Sequence, residues 1–142
     1  MNTDTREQDP TETTAPRAFV SPAQMMSWND LPREALRPGI ERAGFGGDNV
    51  LCQFAWVSPG ATLRPHSHDF DQLVIVVDGE CIFHVGGVPH ACGPGSLLRV
   101  PPHTEHYIEV VGNRTVFEID IFAPMREDYA HLMDHQRVVP TP

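Results

Sequence analysis

The chain has 142 residues, enough for one modest domain, and 19 acidic against 10 basic side chains give a net charge of −9. That balance argues against nucleic acid, whose binding needs a cationic footprint. The 14 prolines and 11 glycines argue against a helical bundle, and no apolar run approaches the roughly 20 residues that span a bilayer.

Residues 1–17 are rich in Thr, Glu, Asp and Pro without apolar periodicity, which predicts a disordered tail. They contain no apolar core of a secretory signal, so the expected location is the cytoplasm. Residues 18–135 form the predicted domain, and residues 136–142 a loose C-terminal tail. Pro32 to Arg37 reads as a helical turn or a loop, and the glycine-rich Gly39 to Gly47 as a turn or bulge region. Asn49 to Ser58 is a strand, with Cys52, Phe54 and Trp56 or their alternates facing inward.

Ala61 to His68 and Gln72 to Val77 are the next predicted strands. Asp78-Gly79 is a hairpin signal leading into Glu80 to Val85, and Gly86-Gly87 turns that strand into Val88 to Ala91. Ser96 to Val100, Glu105 to Val110 and Thr115 to Phe122 follow, and Met125 to His135 has a short helical character. About nine short strands with frequent turn signals predict a sandwich or barrel. Cys52, Cys81 and Cys92 make an odd count without a CxxC pair, and read as buried reduced thiols.

The chemistry concentrates in two glycine-framed runs. Side chains two apart on an extended strand share a face, so His66 and His68 look into one cavity, and Gln72 keeps their parity. His106 closes the second run. Three imidazoles and an amide suit one divalent transition metal: Zn, Fe, Ni or Mn. An amide in the set, rather than a carboxylate, leaves the cation its whole charge. Such a site favours an anionic ligand and acts as a Lewis acid.

The first run reads Gly60, five residues, His66, one, His68, three, Gln72, six, Gly79; the second reads Gly95, five, Pro101, one, His103, two, His106. Together they resemble the two motifs of the cupin superfamily, which usually has Glu at the Gln72 position and Gly at the His103 position. The resemblance implies an all-β double-stranded β-helix, a jelly-roll barrel, with one divalent metal per subunit. It also implies a homodimer, and Ser27-Trp28 resembles the segment that lies along the outside of such barrels.

The last strand offers a second clue. Glu118, Asp120 and Phe122 alternate with Ile119 and Ile121. On alternation alone the isoleucine face is the core and the acids are solvated. The segment from Asp120 to Tyr129, however, resembles the C-terminal signature of the small pectin-degradation cupins of the KdgF type. Those proteins convert cyclic unsaturated uronates to linear keto acids. The resemblance places functional residues at Asp120, moving a proton, Arg126, holding a carboxylate, and Phe122, packing on the carbon skeleton. Arg64, which has the parity of His66, joins the substrate-binding set with His103 and Glu118. The chain departs from that group by its longer N-terminal extension, by His103, and by Asp69-Phe70-Asp71 between the ligands.

The expected function is therefore a metal-dependent lyase or isomerase acting on a small oxygenated carbon acid, an anionic substrate such as an unsaturated uronate. The alternatives are an Fe(II) dioxygenase, a manganese cupin of the cyanohydrin-cleaving type, and a non-catalytic binding module. Tyr107 and Glu109 are expected to face away from the site. His84, His90, His131 and His135 read as surface residues, and Phe54 and Trp56 as core or pocket wall.

Overall fold

The computed structural model describes residues 23–137. The predicted N-terminal tail and residues 138–142 lie outside them. Nine strands follow one another: β1 (Glu34–Arg37), β2 (Ile40–Gly46), β3 (Leu51–Val57), β4 (Gln72–Asp78), β5 (Cys81–Val85), β6 (Val88–Cys92), β7 (Leu97–Val100), β8 (His106–Val110) and β9 (Val116–Phe122). They form a six-stranded sheet ordered β1-β2-β3-β9-β4-β7 and a three-stranded sheet ordered β6-β5-β8. This is the all-β double-stranded β-helix, or jelly-roll barrel, that the resemblance implies. Among the described residues no helix is long and apolar enough to cross a membrane.

The interior is layered along the strands. Val57, Val74, Val76, Cys81, Phe83, Val100 and Val116 fill one end of the barrel. Leu51, Phe122, Met125 and Met133 form a second apolar cluster. Between them β3, β4 and β9 contribute Gln53, Gln72, Glu118 and Asp120, all buried. The cross-strand register sets Gln53 opposite Asp120 and Ala55 opposite Glu118. Polar side chains thus occupy the middle of the strands, where apolar packing is the rule.

Several local expectations give way to tertiary pairing. Pro32 to Arg37 and Gly39 to Gly47 are not turns; they hold β1 and β2, paired antiparallel. The glycines of β2 serve packing instead. A Cβ on Gly44 would lie 2.5 Å from Leu132 Cβ, and one on Gly46 would lie 2.6 Å from Met133 Sδ. Their absence lets the 3-10 helix Glu127–Gln136 lie directly on the strand. Gln136 accepts from Gly46 N at 2.8 Å and donates to Gly46 O at 2.9 Å. Ordered packing therefore runs past the expected domain end at residue 135.

Asp78-Gly79 is not a hairpin either, because β4 and β5 belong to different sheets. Gly79 (φ +84°) carries the chain across, where a Cβ would meet Thr115 O at 2.8 Å. Inward on β3 point Leu51, Gln53, Ala55 and Val57. Phe54 and Trp56 lie on the outer face instead of forming core or pocket wall. Trp56 stacks on Phe117 at 5.0 Å, and Trp28 meets Phe117 edge-on at 5.0 Å. Arg33 caps the cluster, its guanidinium 3.6 Å from the Trp56 ring.

Candidate metal centre

His66 and His68 sit on an extended segment that lacks the ladder of the predicted strand Ala61 to His68. Two backbone hydrogen bonds hold it: His66 N to His106 O at 3.2 Å and His106 N to His66 O at 2.9 Å. This single antiparallel bridge brings the two runs of the sequence face to face. The three imidazoles converge, with one ring nitrogen from each lying within 4.8 Å of the others.

Each ring has its tautomer assigned by its neighbours. His66 Nδ1 meets Arg64 O, His68 Nδ1 meets Phe70 O, and His106 Nδ1 meets Thr104 O, all at 2.8 Å. A carbonyl oxygen only accepts, so every Nδ1 donates and every Nε2 is left with its lone pair. His106 Nε2 is buried without a protein partner. Burial also pushes the His106 pKa down to about 4, which keeps the ring neutral.

Gln72 completes the set. Its Nε2 donates to Asp120 Oδ1 at 2.7 Å, which turns Oε1 toward His68 Nε2 at 3.1 Å. Two lone pairs at that distance repel unless a cation lies between them. The orphaned His106 nitrogen and this facing pair of acceptors both fit a bound metal. His66, His68, His106 and Gln72 would hold it, and all are neutral ligands. Asp120 orients the amide as a supporting partner.

Asp120 is clasped from both sides. Gln53 Nε2 donates to its second oxygen at 2.9 Å. Glu118 is the third neighbour; burial and the Asp120 charge push its pKa well above the usual carboxylate range. Burial raises Asp120 too, while hydrogen bonds from Glu118, Gln53 and Gln72 oppose the rise. Both shifts act against ionising the two acids together, and the hydrogen bond between them favours the proton on Glu118. The pairing settles the orientation of β9: its acids face the cavity, and Ile119 and Ile121 face outward. Alternation alone had put the isoleucines in the core.

The cavity is about 220 Å³ and reaches from this acid pair to the barrel mouth. Of the expected substrate-binding residues, Arg64, Glu118 and Phe122 line it, as does Arg126. The Arg126 fork is already engaged by Asp128 at 2.6 Å and 3.0 Å, and its guanidinium lies 3.8 Å from the Tyr129 ring. His103 is exposed and does not line the cavity. Its backbone is left-handed (φ 60°), and its N–H donates to His68 O at 2.6 Å. It steadies a ligand loop through the main chain. Tyr107 was expected to face away from the site but lines the cavity, while its ring stacks on His84, 4.4 Å between ring centres, and Glu109 meets His84 at 3.2 Å. Sequence reasoning missed Arg37, Gln53 and Tyr129, which also line the cavity. Gln53 had a signal, because a glutamine on the inward parity of an apolar strand is out of place.

Residues 54–122 match the Cupin_2 family, described as the cupin domain. That stretch, from β3 to the end of β9, is a cupin domain. KdgF from Halomonas sp. has a similar structure, with a TM-score of 0.68 at 25% identity over 75% of this chain and 98% of that one. The chain is 34% identical over 64 residues to an acireductone dioxygenase of Bacillus pumilus, and 33% identical over 58 residues to the dimethylsulfoniopropionate lyase DddW of Ruegeria pomeroyi. These matches cover 42% and 41% of this chain, and 36% and 38% of the two enzymes.

Proposed function

We propose that this cupin is a metal-dependent lyase or isomerase acting on a small hydroxylated carbon acid, of which an unsaturated uronate is the leading example. One observation carries the reading. A carboxylate, Asp120, is buried beside the metal ligands yet is hydrogen-bonded to amides, so it stays out of the ligand set and free to handle a proton. Similarity to KdgF of Halomonas sp. supports the same reading.

The roles follow from chemistry. A divalent metal held by His66, His68, Gln72 and His106 would supply Lewis acidity toward a substrate oxygen. Asp120 accepts a proton from the substrate carbon or oxygen, and Glu118 holds the second proton of the pair. Gln53 and Gln72 fix Asp120 in one rotamer, so it meets substrate without reorganising. Gln53 Oε1 and Glu118 Oε2 are buried without partners, and such acceptors suit substrate hydroxyls. Phe122 gives an apolar wall for the carbon skeleton.

Asp120→Asn tests the reading. Turnover of an unsaturated uronate, followed by loss of its ultraviolet absorbance, is expected to fall about 10²–10⁴-fold. Metal content should stay at the wild-type level. Wild-type rates in the variant would end the assignment. A second reading, an iron-dependent dioxygenase, draws on the similarity to acireductone dioxygenase. Oxygen consumption with iron, absent with zinc or nickel, would select it.

A further inference from the structure

Eight arginines lie among the described residues, and six of them pair with a carboxylate. Arg33, Arg42, Arg99, Arg114, Arg126 and Arg137 each lie within 3.6 Å of an Asp or Glu oxygen. Arg37 and Arg64 have no such partner among the described residues, in a chain with nearly twice as many acids as bases. Both line the metal cavity.

Arg37 reaches the cavity through a defect in the sheet. The β1–β2 register slips between Ala35 and Arg37. A bulge of this kind re-aims a side chain, and Leu36 and Arg37 consequently both line the cavity. Arg37 Nε is buried with no hydrogen-bond partner. Burial and the nearby Arg64 charge both act against its protonated form. Two like charges beside each other, one of them desolvated, are costly unless an anion joins them.

We propose that Arg37 and Arg64 form a carboxylate clamp at the mouth of the cavity, so the substrate is an organic acid whose carboxylate sits there while its reacting end meets Asp120. This rests on the reading of the site given above and changes one part of it. The carboxylate-holding role passes from Arg126, whose Nε–Nη2 edge Asp128 already takes, to the two arginines without a carboxylate partner among the described residues. Guanidinium forks match carboxylates bidentately. A volume of about 220 Å³ lies below the roughly 300–1,000 Å³ of drug-sized sites, which suits an acid of about one sugar unit inside the cavity.

The test uses the full chain labelled with ¹⁵N-arginine, both metal-free and zinc-loaded. The probes are galacturonate, its methyl ester, galactose and inorganic phosphate at millimolar concentration. Galacturonate is expected to shift the Nε–H signals of Arg37 and Arg64 in saturable fashion, with the ester and galactose leaving them in place. Arg37→Gln and Arg64→Gln should each weaken galacturonate binding about tenfold or more. Arg64 is exposed, so its variant keeps the fold and the test survives if Arg37→Gln fails to fold. Unmoved signals with galacturonate, equal response to galactose, or binding of phosphate alone would overturn the clamp. Turnover is not the readout. A wild-type protein that binds the acid through these arginines but converts no uronate would sink the enzymatic reading and leave the clamp standing.

Discussion

Between their apolar inward ends, Leu51 and Val57 on one and Val116 and Phe122 on the other, strands β3 and β9 have two faces, and the chemistry on them is inverted. The inward face carries Gln53, Glu118 and Asp120, all less than a tenth exposed. The outward face carries Phe54, Trp56, Phe117, Ile119 and Ile121, all half-buried, with Trp28 packed on Phe54 and Phe117 and Trp56 stacked on Phe117. Ordinary folding stability would place these sets the other way round. The inner set costs desolvation energy that its amide hydrogen bonds only partly offset, which is the pattern expected of a working site. The outer set repays folding by aromatic packing. Function and stability are thus separated by the thickness of one sheet, and each face should respond to mutation in its own way.

The largest separation is expected at the metal. His106→Ala removes a ligand whose Nε2 is otherwise orphaned. Bound metal per chain, measured by plasma emission after dialysis, should fall from one equivalent to near zero. The loss should exceed the roughly 10–100-fold that removing a supporting partner costs. The barrel should persist, because the His66–His106 bridge is made by the main chain. A full complement of metal in the variant would mean that the imidazoles do not share an ion.

The outer face should behave in the opposite way. Phe117→Ala removes the stack on Trp56 and the edge contact with Trp28. Each aromatic pair is worth about 0.5–1.5 kcal/mol beyond its buried area, so a stability loss of about 2 kcal/mol is expected in urea unfolding. Metal content and uronate turnover should stay within twofold of wild type. A variant that kept its stability but lost its metal would erase the division between the faces.

Parts of this division were legible in the sequence and parts were not. The ligands were, because His66, His68 and Gln72 keep one parity and His106 falls at the family spacing. The direction of β9 was not legible from alternation, since isoleucine outscores carboxylate for any buried face. Only the resemblance at Asp120, Phe122 and Arg126 pointed the right way. β1 and β2 were hidden by glycines whose purpose is contact with Leu132 and Met133, some ninety residues away in sequence. Arg37 was hidden with them, because a residue in a presumed turn has no face, and the bulge that aims it exists only once β1 pairs with β2.

The subtlest separation is between the two acids of the inner face, and it is a matter of pH. Glu118 has an ordinary value of 4.5 and is pushed well above it by burial and by Asp120. Above pH 4.5 the unfolded chain releases this proton while the native protein keeps it. The native state then binds more protons, so stability falls as pH rises, and the fall ends only once pH passes the native value of Glu118. The slope is at most about 1.4 kcal/mol per pH unit for one proton. Glu118→Gln still donates to Asp120 through its amide but cannot ionise. Metal-free wild type should therefore lose stability as pH rises above 4.5, and the variant should lose less. The two should lie closest at the acid end, with the variant gaining on wild type as pH rises. Parallel urea midpoints across that range would show that Glu118 is already ionised in the folded protein, and Asp120 would then have no proton donor beside it.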